Sequence, residues 1–517
     1  MPTWPRPVRL GSVALGLALF VAVWLGLLGA TARVAPIDNV EQWVWSHAAA
    51  WGYYKHPPLP TWIAIGAQAL LGPGPWVIDL LGGLCAGLSL LIFWALLRRL
   101  RGPSFATLAL LATLCITYFT YRLNYFNHNT VLMPLAAAVI ALCWRVTEHP
   151  GRWRWAAIGL GLGLGLLTKY QMVLVAVCVG LWWLRIGGWR HPEHRAGAVL
   201  GALVLLAVFW PHLRWLVASD WAPLQYARQS SLGAALPLPA RPGHALTWLI
   251  DWMGLRLAPA WALLAVTAWR VARAAEPAAP PDADRPQAPE RLSRQFLLLW
   301  GFGPPLLMVW LGLAQGIWLQ PKWSTSFALW TVPAVLACLP LGRWAARAPA
   351  LPRASWVGFG LLQLVLILAL STGQVSDHRA QGQGPGHLQR WSQRDYAGAA
   401  QRVAARAQAE LGAPLEVISG PYGVAGAIAQ RLPEAPLVLI DGELAKSPWL
   451  SEARLRTATV LHLEPACGLP PGTFQVLPGW IGWLARGNGP ARPVPPPDPR
   501  LWGKASLHGG ASPIECP

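Results

Sequence analysis

The chain has 517 residues, of which 54% are hydrophobic and only 12% are charged, and it contains 33 tryptophans. Soluble proteins rarely combine such values, and the apolar residues occur in blocks of about 20, the length that crosses a bilayer. In a soluble protein a net charge of +19 would suggest nucleic-acid binding. Here the arginines lie between the apolar blocks, so we expect a membrane protein without a nucleic-acid partner.

The apolar blocks predict about eleven transmembrane helices. The first block favours an uncleaved anchor over a signal peptide, because its apolar run is too long and many further spans follow. The fifth block is short, which suggests a kinked or re-entrant segment. The predicted spans are residues 8–29, 76–97, 104–123, 130–147, 155–168, 171–187, 196–211, 244–269, 295–315, 325–341 and 354–371.

The loop after the first block, residues 36–62, combines acids, aromatic rings and a Lys-His-Pro-Pro turn. Lys55 and His56 would supply positive charge to a phosphate-bearing ligand. The aromatic residues suit either a membrane interface or a sugar-binding cleft; they are Trp43, Trp45, Trp51, Tyr53 and Tyr54. This loop is therefore the first candidate for chemistry.

Two carboxylates in this loop, Asp38 and Glu41, are three residues apart, which places both on one face of a helix. Asp38 is either a general base or the N-cap of a helix that starts near Val40. Glu41 would assist catalysis or bind a metal, or it is an exposed helical acid. These alternatives remain open at the level of sequence.

The loop resembles a bacterial glycosyltransferase superfamily. The resemblance rests on Asp38 and Glu41, Trp43-Val44-Trp45, Trp51-Gly52-Tyr53-Tyr54 and His56-Pro57-Pro58-Leu59. The superfamily includes the protein O-mannosyltransferases and the lipid A aminoarabinose and galacturonic acid transferases. The resemblance extends to about residue 340 and implies an α-helical polytopic membrane protein of the GT-C fold. It also implies that sugars come from polyprenyl-phosphate carriers on the outer membrane face.

The chain departs from its relatives at two positions of this loop. Asp38 is followed by Asn39, where many relatives have a second acid. Before the Pro-Pro turn, relatives often have an acidic residue, which binds a metal in some, but this chain has Lys55. We therefore assign no metal site and no other cofactor, although Glu41 with a histidine leaves a divalent metal possible.

Other candidate residues occur in later loops on the same side. The loop 124–130 is neutral apart from His128 and would hydrogen-bond sugar hydroxyls, with Asn129 near the position of an acid in relatives. His128 is a ligand or proton shuttle, or an ordinary interfacial histidine. Lys169-Tyr170 resembles a Lys-Tyr pair of relatives, and Lys169 either binds phosphate or extends to the interface.

Lys322, in a short polar loop, would add to this positive cluster. Asp79 lies inside a predicted span, so it is either paired within the membrane or close enough to the interface to reach it.

The arginines of alternate loops predict the orientation, because cytoplasmic loops are enriched in arginine and lysine. The N-terminus is then cytoplasmic, and residues 36–62 face outward together with the C-terminal residues. The arginine-rich loops contain Arg98, Arg99, Arg101, Arg145, Arg152, Arg154, Arg185, Arg190, Arg195, Arg343, Arg347 and Arg353.

Two regions fall outside the predicted membrane part. Residues 274–294 are rich in proline, alanine and charge and predict a flexible cytoplasmic linker. Residues 1–372 would thus be the transmembrane domain and residues 373–517 a small periplasmic α/β domain. In that domain we expect helices at 395–411 and 423–431 and strands at 415–419, 437–441 and 459–463.

Two features of the C-terminal domain have competing interpretations. Gly420-Pro421-Tyr422-Gly423-Val424-Ala425-Gly426 is loosely like a dinucleotide-binding loop, or it is a tight strand-to-helix turn. Cys467 and Cys516 would be able to pair if the domain is extracytoplasmic.

The predicted function is transfer of a sugar, hexosyl or pentosyl, from a polyprenyl-phosphate donor at the periplasmic face of a bacterial inner membrane. The acceptor would be a lipid, a glycan or a protein. If it is a lipid, the reaction could modify lipopolysaccharide. Membrane lipids would surround the protein. The alternative is a transporter or flippase of lipid-linked sugars. Against it, few ionisable residues lie near span centres, and the sequence has no evident internal repeat.

Overall fold

The computed structural model describes residues 10–228, 236–273, 290–371, 391–465 and 469–487. These residues form nineteen α-helices and one small sheet. The helices before the sheet domain are α1 Leu10–Thr31, α2 Ile37–Trp45, α3 Leu59–Leu71, α4 Pro75–Arg101, α5 Pro103–Thr113, α6 His128–Glu148, α7 Arg152–Leu166, α8 Met172–Arg185, α9 Pro192–Ala218, α10 Ala222–Ala227, α11 Arg241–Leu249, α12 Ala258–Arg273, α13 Glu290–Gln315, α14 Ala328–Leu336, α15 Pro340–Arg347 and α16 Arg353–Ser371. Residues 274–289 of the predicted linker lie outside the described residues, as do Cys467 and Cys516.

The predicted fold class, a helical multi-pass membrane protein, is confirmed. Six described helices are long and apolar enough to cross a membrane, namely α1, α4, α6, α9, α13 and α16. Two bent pairs raise this number to eight if each pair is one span: Leu238–Arg256 with α12, bent by 53°, and α14 with α15, bent by 87°. By length and composition, the described residues therefore supply fewer spans than the eleven predicted.

Three predicted spans fold into helices of 11 to 15 residues, too short to cross a bilayer. Span 104–123 becomes α5, which ends at Thr113 and is followed by a loop. Spans 155–168 and 171–187 become α7 and α8, separated by a turn that contains Lys169. Helix α3, by contrast, was not predicted, and it follows the Pro-Pro turn directly.

Helices α7 and α9 approach each other closely, and glycine makes the approach possible. A Cβ atom added to Gly159 would lie 2.0 Å from the backbone oxygen of Gly201. Small residues at such crossings allow membrane helices to pack backbone to backbone. This contact fixes the turn between α7 and α8 relative to α9.

Helix α4 separates an arginine-rich end of the protein from the end that carries the acidic loop. Its 27 residues span about 40 Å. At its C-terminal end Arg99 pairs with Glu148 at 2.6 Å, and Arg101 pairs with Glu290 at 3.3 Å. Near its N-terminal end, Gly82 packs against the backbone of Asn124.

The C-terminal residues form the small α/β domain that the sequence predicts. Its five-stranded sheet has the order β2-β1-β3-β5-β4, with β1 parallel to β2 and β3, and β5 antiparallel to β3 and β4. Both predicted helices and all three predicted strands are present, whereas β4 and β5 were not predicted. The elements are α17 Tyr396–Leu411, β1 Val417–Gly420, α18 Tyr422–Ala429, β2 Leu437–Ile440, α19 Glu452–Leu455, β3 Thr459–Pro465, β4 Phe474–Leu477 and β5 Trp480–Arg486.

Helix α18 packs directly on α2, and its glycines face the contact. A Cβ atom on Gly423 would lie 2.8 Å from Ile37 Cδ1, and one on Gly426 would lie 2.7 Å from Val40 Cγ1. The glycine pattern of this turn is therefore explained by close helix packing. The structure supports the tight strand-to-helix turn rather than a dinucleotide loop.

Candidate active site

Helix α2 is the element on which the candidate site is built, and Asn39 fixes its position. The Asn39 amide nitrogen donates to Asp79 Oδ1 at 2.6 Å and to the Asn124 carbonyl at 2.7 Å. The amide oxygen of Asn39 accepts a hydrogen bond from the Phe126 backbone N–H at 2.8 Å. One buried side chain thus joins α2 to α4 and to the loop before α6, and of the two alternatives for Asp79 the structure favours the paired one.

Asp38 lies in the first turn of α2 and is not its N-cap. The N-cap is Pro36, and no side chain caps this helix. The half-buried Asp38 carboxylate instead accepts a hydrogen bond from Asn127 Nδ2 at 2.8 Å. The helix-cap interpretation of Asp38 is therefore wrong, and its carboxylate is directed across the site.

Asn127 holds Asp38 in this orientation because its amide is used at both ends. Its oxygen accepts from the backbone N–H groups of Asn129 and Thr130, at 2.8 and 3.1 Å, and so caps α6. The Asn127 amide nitrogen therefore donates to Asp38. The Asp38 oxygen accepts this hydrogen bond, as an ionised carboxylate does. The sequence marked this loop as a hydrogen-bonding loop but gave no sign of this particular contact.

Glu41 forms a buried ion pair with Lys55, and both side chains are less than a tenth exposed. Burial alone would lower the pKa of Lys55, but the Glu41 carboxylate and nearby phenol groups raise it well above its usual value. Lys55 is therefore cationic at neutral pH, with its charge directed at Glu41. Its Nζ lies within 6 Å of four ring centroids: Trp45 at 5.9 Å, Tyr54 at 5.8 Å, Tyr226 at 5.5 Å and Tyr422 at 4.4 Å.

His56 and His128 stack with their ring centroids 4.1 Å apart. His128 Nε2 lies 3.2 Å from the carbonyl oxygen of Pro57, which can only accept, so this nitrogen carries a proton. Burial, together with His128 and the charge of Lys55, lowers the pKa of His56 well below its usual value. His56 is thus neutral at pH 7, so it offers hydrogen bonds rather than the positive charge expected from the sequence.

Lys169 adds an amino group to the site, and burial together with the charge of Lys322 lowers its pKa to about 7. Its Nζ donates to Asn129 Oδ1 and lies 5.8 Å from the Trp323 ring. Asp38 and the exposed Lys322 are both near enough to act on the charge of Lys169. The neighbouring residues Asn127 and Asn129 therefore place Asp38 and Lys169, which are far apart in the chain, at one site.

Tyr170 connects two elements that frame the site. His212 Nδ1 lies 2.6 Å from the carbonyl oxygen of Trp51, so this nitrogen donates. His212 Nε2 is then the acceptor for the Tyr170 hydroxyl, 2.9 Å away. Tyr170, predicted to bind substrate, is placed by the structure at a link between α9 and the acidic loop.

Three residues that contact the site were not among the sequence-based candidates: Asn127, Tyr226 and Tyr422. Tyr226 belongs to the six-residue helix α10, and no motif surrounds it. Tyr422 belongs to the glycine-containing turn, whose pattern suggested a different ligand. Among the residues that the structure describes, no group of three or more His, Cys, Asp and Glu side chains is placed to hold a metal ion.

Comparison with known proteins supports the resemblance seen in the sequence. The family model described as dolichyl-phosphate-mannose-protein mannosyltransferase matches residues 55–215. This range includes His56, His128, Asn129 and Lys169, but it does not include Asp38. No curated protein sequence matches the chain.

The fold is similar to that of ArnT from Cupriavidus metallidurans. The structure of that protein bound to undecaprenyl phosphate matches with a TM-score of 0.57 and 14% identity, over 92% of this chain and 98% of that chain. Its apo structure matches with a TM-score of 0.54 and 14% identity, over 91% and 97% of the two chains. The predicted GT-C-like fold is confirmed.

Proposed function

We propose that this multi-pass membrane protein with the GT-C fold transfers a sugar from a polyprenyl-phosphate donor to a lipid, glycan or protein acceptor. The observation that carries the proposal is that the neighbouring residues Asn127 and Asn129 bind Asp38 and Lys169, so that the carboxylate and the amino group belong to one site. A base with two lysines nearby suits transfer from a lipid phosphate, because the phosphate anion favours the protonated form of Lys169. The similarity to a structure bound to undecaprenyl phosphate supports this type of donor.

In the proposed reaction, Asp38 takes the proton of the acceptor hydroxyl. The acceptor oxygen attacks the anomeric carbon of the donor, and the bond from that carbon to the phosphate oxygen breaks. The polyprenyl phosphate leaves with the electron pair, and its negative charge is stabilised by Lys169 and Lys322. The hydrogen bond from Asn127 holds the base in place during the transfer.

The remaining site residues would bind or orient. Neutral His56 would hydrogen-bond sugar hydroxyls, as would His128 and Asn129. The pair of Glu41 and Lys55 would fix the end of α2. Tyr54 would line the site. Tyr170 would line it as well and would connect it to α9 through His212. Whether the transferred sugar is a hexose or a pentose is to be decided by the transfer assay that follows.

The test is an assay of transfer by the purified protein, supplied with undecaprenyl-phosphate sugars and membrane lipid acceptors. The expected result is a glycosylated acceptor and free undecaprenyl phosphate in equal amounts, measured by mass spectrometry. The same protein in sealed vesicles is expected to move no lipid-linked sugar across the bilayer. Translocation without transfer would contradict the proposal and indicate a flippase.

We further propose that residues 1–372 form the transferase domain in the inner membrane and residues 373–517 a periplasmic domain. The arginine-rich end of α4 would then face the cytoplasm, and the site would face the periplasm. A reporter placed after residue 372 is expected to be active only outside the cytoplasm, because the arginine-rich loops lie at the opposite end of the membrane helices. Activity of the reporter inside the cytoplasm would contradict this orientation.

Transfer is expected to survive chelation by EDTA. Lys55 stands where some relatives carry an acidic metal ligand, and its ion pair with Glu41 leaves that carboxylate engaged. The measurement is the initial rate of transfer with and without EDTA. Loss of activity that one added divalent ion restores would refute this expectation.

A further inference from the structure

We propose that Tyr422 of the C-terminal domain is a positioning residue of the active site, because its ring closes the aromatic enclosure that holds Lys55 against Glu41. Tyr422 opens α18, in a domain that lies more than 300 residues beyond the acidic loop in the sequence. The C-terminal domain would then be part of the enzyme's site rather than an appendage to it.

The distances single out Tyr422 among the rings around Lys55. Its centroid lies 4.4 Å from Lys55 Nζ, whereas the next ring, that of Tyr226, lies 5.5 Å away. Within about 6 Å a lysine over an aromatic face is attracted to it, and the attraction strengthens when water is excluded. Lys55 is 9% exposed, so Tyr422 provides both the attraction and part of the cover.

Tyr422 is held in place by two independent sets of contacts between its domain and the acidic loop. The first is the glycine-mediated packing of α18 on α2 described above. The second is a pair of hydrogen bonds near residues 31–35: Trp391 Nε1 donates to the Ala35 carbonyl at 2.9 Å, and the Arg33 N–H donates to the Ser392 carbonyl at 2.7 Å. The ring therefore does not depend on a flexible loop for its position.

The effect on catalysis would pass through α2. Glu41 is buried, and its carboxylate is compensated by Lys55. If Lys55 lost its enclosure and moved, Glu41 would be left as an uncompensated buried charge, and α2 would have to shift to expose it. Asp38 lies on the same face of α2 one turn earlier, so its hydrogen bond with Asn127 would shift as well. This step rests on the proposed function of Asp38.

The experiment compares Tyr422→Ala with Tyr422→Phe in the full-length protein. The control is Phe474→Ala, which removes a half-buried ring of the same domain that lies 5.5 Å from the Arg406 guanidinium. Two quantities are measured: the kcat and KM of transfer, and the labelling of Lys55 by a water-soluble amine reagent, read by mass spectrometry. The labelling does not depend on what the enzyme does.

Tyr422→Ala is expected to lower kcat by roughly 10- to 100-fold, the loss typical of a misplaced catalytic group. The KM for the lipid donor should stay near the wild-type value, because Lys169 and Lys322 are untouched. Labelling of Lys55 should rise several-fold. Tyr422→Phe keeps the ring and should restore both values, and Phe474→Ala should change neither.

If Tyr422→Ala does not accumulate, Tyr422→Leu replaces it, since leucine fills space without an aromatic face. If Tyr422→Ala or Tyr422→Leu showed the same labelling and kcat as Phe474→Ala, the proposal would be overturned. It would also be overturned if Tyr422→Phe lost as much kcat as Tyr422→Ala. A wild-type protein that transfers no sugar would instead count against the proposed function, and the labelling result would still decide whether Tyr422 encloses Lys55.

Discussion

Replacing Asp38 with asparagine is expected to lower sugar transfer by roughly 100-fold or more, the loss typical of a missing general base. The exchange keeps the shape of the side chain but removes its ability to take a proton. Donor binding should stay near the wild-type level, because Lys169 and Lys322 are unchanged. The measurement is the turnover number, with the melting temperature followed in parallel.

The matched control is Asp220→Asn, the same exchange at an exposed aspartate with a φ of 49°, a conformation that asparagine tolerates. It is expected to leave turnover unchanged. Asp38→Ala should lose transfer as fully as Asp38→Asn, since Asp38 does not cap α2. A fully active Asp38→Asn enzyme would remove Asp38 as the base and leave Glu41 as the next carboxylate to test.

The second large effect is expected at the buried ion pair. Lys55→Met should lower the free energy of unfolding by about 3–5 kcal/mol, because it leaves Glu41 buried without a counter-charge. The double variant Glu41→Gln with Lys55→Met should recover most of that loss, since no uncompensated charge remains. Unfolding of the detergent-solubilised proteins by heat or denaturant measures both.

The comparison for this pair is the ion pair of Arg99 and Glu148, whose side chains are 42% and 22% exposed. Arg99→Met is expected to cost only about 0–1 kcal/mol, because water and salt screen an exposed pair. If Lys55→Met cost no more than Arg99→Met, the pair of Lys55 and Glu41 would be solvated in the working protein, and the aromatic enclosure would not exist.

The sequence was most informative where local pattern determines structure. Apolar blocks located the long helices α1, α4, α6, α9, α13 and α16, because lipid requires long apolar runs. The same rule placed the break at Lys169 correctly, but it counted α7 and α8 as full spans although they have only 15 and 14 residues. The sequence analysis also missed strands β4 and β5, although Pro478-Gly479 stands between two runs of β-branched and aromatic residues, a pattern that predicts a hairpin.

The candidate site was only partly predictable, because its contacts join residues far apart in the chain. The resemblance drew attention to Asp38, Lys55 and Lys169, yet no local pattern indicates that Lys55 pairs with Glu41 rather than with a ligand. The contact of Tyr422 with Lys55 depends on how a separate domain docks. Sequence spacing therefore identified the chemical groups, and packing determines which of them are available.

The hydrogen bond between Trp391 and Ala35 joins residues 356 positions apart, and this separation has a consequence for biogenesis. Ala35 leaves the ribosome early, whereas Trp391 follows only after every membrane helix has been made. At 5–20 residues per second, the interval is roughly 20 to 70 s. During that time α2 lacks the surface that covers it, so its apolar face must be shielded by lipid or by a chaperone. If the proposed function holds, a nascent chain interrupted anywhere before α18 would lack the cover of α2 and is expected to transfer no sugar.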